Sequence, residues 1–583
     1  HHRRSGSVAD STTVDRVDRG FHHLAAVRHP RRQEGERAAV EARHSAFFAC
    51  ALQRIDATDP DALYGSRRHE IISALRLEYS DLEAVLARAL ARAETDTAVA
   101  ISDALWALWL MRGPYTAALE RLERMLGLPL TDTQRATALL RSGRLRISLG
   151  QMDQAEQLLE VSAALARELH DAVLEQELHL MFLRLYVGQG RHDEMLARAK
   201  LALDLAQRCG SWSLECRTMM QLSRHLADLD ASYAWLLKAE QIALGHDAFG
   251  LLTNIVRNLG DVDTKRGRLD SAKRHFLRAQ VLGSGSDDLA AQMSLAFEQA
   301  YLFRRSGRIA ESLAFSEACV RDCRRLGDRV TEIQVLIGMG WSLSLLGRLD
   351  EAYATYLRAL NAARAVNNRT NICVLLNALG GLSAVRTDRE HPLQESQTWF
   401  REALQVAIEL GEPHREAMSR MNLGKLCCLR GEYAEGMALL RGALDTYERN
   451  GDPRRAGSVL VTMSAALFDE GSLIEAEEHL CRADDIAREH EDRPLSHAVH
   501  PLWVRIKARL GQLEAAEARL AEIEPTDDNT QEAEVWLARA ELAHARAEFA
   551  SRLHALSEAS QRVHPDTLGR RFRELASLEG SLG

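Results

Sequence analysis

A few stretches of the 583-residue chain carry side chains whose types and spacing could do chemistry. GMGWSL at 338–343 has glycines spaced as in a loop that lets backbone amides approach a phosphate, but such a loop must follow a strand and open a helix. Its surroundings read as one continuous helix, so these glycines are assigned to close packing. His490, Asp492, His497 and His500 offer imidazole and carboxylate groups of the kind that hold zinc. Pro494 breaks that stretch and no HExxH spacing is present, so it reads as a polar loop between repeats. Cys319 and Cys323, four residues apart on one helix face, are expected to be small core residues rather than metal or redox ligands. The one Gly-Lys pair, Gly424 and Lys425, is followed by Leu426, whereas a phosphate-binding GxxxxGK[ST] loop needs a hydroxyl there for magnesium. No GxSxG elbow is present either. No catalytic residue, metal or cofactor is expected, which leaves binding as the function to look for.

The elements that would position binding residues are legible in a repeat. LGQMDQA at 149–155, RGRLDSA at 266–272, SGRIAES at 306–312, LGRLDEA at 346–352, RGEYAEG at 430–436, EGSLIEA at 470–476 and LGQLEAA at 510–516 are versions of one turn. Gly150, Gly190, Gly267, Gly307, Gly347, Gly431, Gly471 and Gly511 fall 40 residues apart or close to twice that. Further units are placed in the gaps, one turning near Asp228 and one with about four extra residues around Thr387–His391, and an earlier unit turns at Gly113. Seven residues before the turn comes a small residue, as at Gly143, Gly260, Ala300, Gly340, Gly424 and Ser464. Five residues after it comes another, as at Ala118, Ala155, Ala272, Ser312, Ala352, Ala476 and Ala516. Small side chains let two helices approach, the turn glycine takes the left-handed backbone that ends the first helix, and Asp153, Asp270 and Asp350 sit near the positive start of the second. The predicted fold is all-α: a solenoid of about eleven helix-turn-helix units, each covering the apolar edge of the one before and touching only its neighbours.

Composition agrees. Only 11 Pro and 36 Gly interrupt a chain that is 46% hydrophobic and 27% charged. The longest purely apolar run, Ala104–Met111, is far short of the roughly 20 residues a spanning helix requires. A net charge of −9 argues against a nucleic-acid surface. Nine cysteines without a regular framework fit a reducing compartment, so the expected setting is cytoplasmic, with no membrane or direct nucleic-acid contact.

Small residue, glycine turn and alanine at these offsets resemble the tetratricopeptide pattern in a forty-residue form, over roughly residues 100–525. Before the repeats, Arg43, His44, Phe47 and Phe48, then Ser80, Asp81 and Leu82, then Trp106, Trp109, Arg112 and Gly113, resemble the region joining the motor to the helical arm in bacterial signal-transduction ATPases of the STAND type. The resemblance implies a sensor arm that binds a protein or small effector for a transcriptional or signalling regulator, without the ATPase. A standalone scaffold holding partner proteins together is the rival. The domains expected are 1–37, unassigned, disordered or a remnant; 38–100, a helical linker; 101–525, the repeats; and 526–583, a helical cap.

In such solenoids the first helices line the concave side, and positions facing outward there are open to specialise. The turn register places Arg144, Asn254, Arg257 and Asp261 on that face. It adds Tyr301, Arg304, Trp341, Asn377 and Lys425, a set of aromatic, guanidinium and amide groups suited to anchoring a peptide, a protein or a small polar effector.

Overall fold

A computed structural model describes residues 68–562, apart from 190, 226–227, 284–287, 387–391, 491, 524–528 and 547. Residues 1–37, the Arg43–Phe48 part of the resemblance, the extra residues around Thr387–His391 and the end of the expected cap lie outside the described residues. The described residues form 26 helices and no strand. The chain divides into two compact units, residues 1–335 and 336–583.

Unit 1 begins with α1 (Arg68–Leu77) and α2 (Tyr79–Arg92), followed by paired helices. These are α3 (Thr95–Arg112) with α4 (Tyr115–Leu126), α5 (Asp132–Leu149) with α6 (Met152–Leu169), α7 (Ala172–Gln189) with α8 (His192–Cys209), and α9 (Trp212–His225) with α10 (Leu229–Gly245). Then come α11 (Phe249–Lys265) with α12 (Leu269–Gly283), and α13 (Leu289–Arg305) with α14 (Ile309–Leu326). Helix α15 (Arg329–Leu345) runs across the division between the units, and α16 (Leu349–Ala365) follows it. Unit 2 continues with α17 (Arg369–Val385) and α18 (Pro392–Leu410), α19 (Pro413–Leu429) and α20 (Tyr433–Arg449), α21 (Pro453–Glu470) and α22 (Leu473–Glu489), α23 (Arg493–Arg509) and α24 (Leu513–Ala521). A last pair, α25 (Asn529–Ala545) and α26 (Phe549–Arg562), closes the described chain. From α3/α4 to α23/α24 there are eleven pairs, as the periodicity predicts. The degenerate unit turns where expected, with Asp228 capping α10 through bonds from the amides of Asp230 (2.8 Å) and Ala231 (3.1 Å).

Most pairs are closed by a turn glycine. Gly150 has φ 81°, its amide donates to the Ile147 carbonyl at 3.0 Å, and that of Gln151 donates to the Arg146 carbonyl at 2.8 Å, so the last carbonyls of α5 are satisfied. Behind the turn the small residues do what their size allows. A Cβ at Gly260 would stand 2.6 Å from the Phe276 ring, and one at Gly143 2.8 Å from Leu159; Gly340 lies as tightly under the Tyr356 ring. Where a serine takes a small-residue site its hydroxyl bridges the pair, as Ser312 to the Ala300 carbonyl and Ser464 to the Ala476 carbonyl, both at 2.7 Å.

A second forty-residue signal sits at the other turn. Asp171, Ser211, Asp288, Asp328, Asn368, Asp452 and Asp492 each accept a bond from the amide three residues on, at 2.9 to 3.4 Å, and so cap seven of the first helices. Tertiary packing then departs from the nearest-neighbour expectation. First helices contact first helices along unit 1, from α5 to α13, and α3 reaches back to pack on α13. The corner after α3 fits against the end of α14 only because it is glycine: a Cβ at Gly113 would lie 2.7 Å from the Leu326 carbonyl oxygen, and its φ is 61°. Curvature accumulated over five pairs thus brings the start of the unit onto its own end.

Replacing Gly340 with Leu in α15 should cost about 1 to 3 kcal/mol, because the new side chain must displace the Tyr356 ring. Urea unfolding of Gly340→Leu, Tyr356→Ala and the double variant should show strong non-additivity; additive effects would mean that the two positions do not touch.

Candidate ligand-recognition faces

The first helices of unit 1 turn a largely polar face toward one another, and the charges on it are paired between neighbours. Arg141 of α5 bonds Asp103 of α3, and Arg217 of α9 bonds Glu177 of α7 with Nη2 2.8 Å from Oε2. Arg257 of α11 reaches Glu298 of α13 at 3.5 Å, and Lys265 pairs with Asp261 at 2.8 Å. Arg144 lies half-buried over the Trp106 ring, 5.7 Å from its centre, with Arg141 on the same indole at 5.3 Å. Trp109 is buried and donates from Nε1 to Glu83 at 3.1 Å. The Trp-rich helix therefore forms the first wall of this interior.

The sequence-derived residues fall into distinct settings. Arg257 and Asp261 are buried within the network just described, and Asn254 is half-buried with its amide donated to the Gly250 carbonyl at 3.2 Å. Tyr301 and Arg304 are half-buried at the end of α13, the guanidinium 5.3 Å from the ring centre of its own neighbour. In unit 2, Asn377 is buried: it donates to the Cys373 carbonyl and to the Ser419 hydroxyl, each at 3.0 Å, and accepts from Asn422 at 2.9 Å. Trp341 and Lys425 are exposed, the tryptophan by 54%. Tyr301 and Arg304 belong to unit 1 and Trp341, Asn377 and Lys425 to unit 2, so each unit presents its own candidates.

Glu298 stands out electrostatically. Burial, then the nearby Asp261 carboxylate, push its carboxyl up to about 7, and the opposing charges of Arg257, Arg224 and Lys265 do not reverse this because the Arg257 contact is long. Burial also pushes the Arg257 guanidinium down to about 10.

The other chemistry-bearing residues are placed differently. GMGWSL lies inside α15, as helix interior. Cys319 and Cys323 are buried against Met293, and the Cys319 thiol and burial together hold the Cys323 thiol far above its ordinary range. Asp492 caps α23, His497 meets Gln531 at 3.2 Å and His500 faces Asp484 at 3.7 Å, so they converge on no common point. Burial works to raise the Asp484 carboxyl, but bonds from His500 and Arg519 and the charges of Arg519 and Arg488 outweigh it and hold the group below the usual range. Elsewhere Cys427, Glu432 and Glu435 bring one ligand atom each within 4.8 Å of one another, yet burial pushes the Cys427 thiol up to about 11, so it offers no thiolate at neutral pH. Among the described residues no helix is long and apolar enough to cross a membrane.

Sequence reasoning found the first-helix face and missed its pairing. The signal is present in the numbering: Glu177, Arg217 and Arg257 recur every 40 residues on α7, α9 and α11, as do Arg144, Arg184 and Arg224 on α5, α7 and α9.

These features define an all-α, tetratricopeptide-like repeat protein. No protein-family model and no curated protein matches the chain. Solved structures do. A Signal Transduction ATPase with Numerous Domains protein with a tetratricopeptide repeat sensor, from Pyrococcus horikoshii, is similar at 14% identity and a TM-score of 0.42 over 63% of this chain. The match spans about half (52%) of that protein. The apo form of RapI is similar at 11% identity and a TM-score of 0.47, over 60% of this chain and 95% of its own. A Rap protein complexed with Competence and Sporulation Factor is similar at 14% identity and a TM-score of 0.43, over 74% of this chain and 100% of its own.

A pH dependence follows from Glu298. The folded chain holds this proton to about pH 7, whereas an unperturbed glutamate releases it near 4.5. Folding therefore favours the protonated form, and the stability this contributes is full below about pH 4.5 and lost as pH rises through about 7. The melting temperature should decline between pH 5 and 8, and Glu298→Gln should flatten that decline; an identical slope in the variant would place the titration elsewhere.

Proposed function

We propose that this chain is a recognition arm: its repeats bind a protein, a peptide or a small effector on behalf of a bacterial ATPase-type signalling or transcriptional regulator whose motor is supplied outside the described residues. The observation that carries the recognition reading is the contrast along the first helices. Arg257, Asp261 and Asn377 on these helices are buried and bonded, while the large indole of Trp341 is 54% exposed next to Gly340, whose close contact with the Tyr356 ring holds α15 against α16. An indole held out from a rigid helix has little rotamer entropy to lose on binding and suits an interface anchor. Lys425 in the same unit, and Tyr301 with Arg304 and the half-buried Arg144 and Asn254 in unit 1, are the further contacts assigned to this role. Arg257, Asp261 and Asn377 serve it indirectly, by fixing the helices that present the others.

The regulator part of the reading draws on the resemblance of residues 80–113 to the helical region that follows the motor in such ATPases. A ligand that fits one curvature of the repeats better than another shifts the population toward it, and a domain attached to the repeats then moves with it. Effector binding and motor state are coupled reciprocally in such a device.

Two measurements test this. Trp341→Ala should leave the melting temperature nearly unchanged, since an exposed substitution costs within about 0.5 kcal/mol. It should weaken capture of a cognate partner by about 2 kcal/mol or more. A loss of stability as large as that expected of Gly340→Leu would show the indole to be structural, and normal binding by the variant would remove it from the interface. Equilibrium dialysis of the purified chain with ATP should show no micromolar binding; such binding would overturn the assignment of the nucleotide site to another domain.

A further inference from the structure

The interior of unit 1 holds two arginines that its pairing scheme does not use. Arg144, Arg184 and Arg224 fall 40 residues apart on α5, α7 and α9, so the repeat sets them at equivalent positions on successive first helices. The neighbouring guanidiniums of Arg141, Arg217 and Arg257 each meet a carboxylate. Arg184 and Arg224 make no ion pair or hydrogen bond with any described residue.

Their surroundings sharpen the contrast. Arg184 sits within the unit: burial holds its guanidinium down, Asp328 and Tyr115 oppose that effect, and Arg224 and Arg217 push it further the same way. The Asp328 carboxylate is engaged with the start of α15, accepting from the Thr331 amide at 3.0 Å, and burial raises it in turn. Arg224 faces the same interior from α9, where its charge also acts on Arg257 and Glu298. The Nε of Arg257, a side chain 8% exposed, is buried there without a hydrogen-bond partner. Yet Arg184 is only half-buried by surface and Arg224 is exposed, so the space they front is open to solvent. The carboxylates that act on these two arginines, Asp328 and Glu298, are engaged elsewhere and form no direct bond with them, so a bound oxyanion would supply the contact that the unliganded chain lacks.

We infer that Arg184 and Arg224 form an oxyanion-binding site inside unit 1, for a ligand that presents a phosphate or carboxylate group to two guanidinium forks. Guanidinium forks match either group in a planar, two-bonded geometry. Tyr115, buried at the start of α4, donates its hydroxyl to the Leu110 carbonyl at 3.2 Å, which leaves the two guanidiniums as the donors of the site. The site depends on the return of α3 and the α3–α4 corner onto α13 and the end of α14, which brings Tyr115 and Asp328 to the same interior as Arg184. The inference rests on the recognition reading only in that the repeats bind a ligand.

Calorimetric titration of the full chain with inorganic pyrophosphate, and separately with a hexaglutamate peptide, tests it at constant ionic strength. Saturable binding of at least one probe is expected. It should weaken at least tenfold in Arg184→Gln and in Arg224→Gln, and be unchanged in Arg449→Gln, which removes an exposed arginine of α20 paired with Asp445. Binding of pyrophosphate alone assigns a phosphate source, and of hexaglutamate alone a carboxylate source. The effective probe should also raise the melting temperature of the native chain and not that of Arg184→Gln. If either Gln variant fails to fold, Arg184→Lys keeps the charge without the fork and should still bind more weakly. Absence of saturable binding by both probes, or binding that the three Gln variants retain or lose alike, would overturn the site. Failure here while Trp341→Ala still releases a partner would leave the recognition reading standing.

Discussion

The close contact between a small residue on a first helix and a large one on its partner, made in five of the pairs, governs this structure. Gly143 with Leu159, Gly260 with Phe276, Gly340 with Tyr356 and Gly424 with Leu440 all stand sixteen residues apart, and Gly380 with Phe400 keeps the contact across the longer connection that contains residues 387–391. A ring or isobutyl group seated on bare backbone fixes both the distance and the angle between two helices. Protein interiors are packed too densely for the pair to slide. With the pair angle fixed, the tilt from one pair to the next is set by what remains of the apolar surface, and it repeats because the sequence repeats. The small residues thus act beyond their own helix pair.

Repetition has its consequence in unit 1. Because each pair adds a similar rotation, first helices accumulate on one side, and α3 comes to rest on α13. Side chains that a straight stack would leave in open solvent then face one another. Arg141, Arg217, Arg257 and Lys265 are met by Asp103, Glu177, Glu298 and Asp261, drawn in each case from the adjacent first helix or the next turn of the same one. Partial burial makes such pairs sensitive to geometry: the 3.5 Å Arg257–Glu298 contact leaves the carboxyl raised, while bonds to His500 and Arg519 in unit 2 hold Asp484 low. The same enclosure turns Arg184 from an ordinary surface cation into a group whose charge is costly without a partner.

The caps make the array's ends of helix independent of that interior. Seven first helices start on an Asp, Asn or Ser whose side chain satisfies an amide that the helix itself cannot, so their boundaries are local properties. Asp328 does both jobs: it caps α15 and is a carboxylate acting on Arg184. A single residue there couples a helix start to the charge balance of the face in front of it.

By itself the sequence determined the class of fold, the eleven pairs and their turns, because these rest on short-range chemistry: a left-handed glycine, a small residue seven positions before it and another five after. Even the degenerate turn at Asp228 was legible, and the Asp, Asn and Ser caps at forty-residue spacing could have been read in the same way. Which members of the first-helix face are buried was not legible. Arg257, Asp261 and Asn377 share a register with Trp341 and Lys425, yet the first three are buried and bonded and the last two exposed. Register assigns a residue to a face of its own helix. What stands opposite that face depends on the summed rotation of many pairs, where a few degrees per repeat decide whether α3 meets α13, so only the tertiary structure could say which charges are paired and with what.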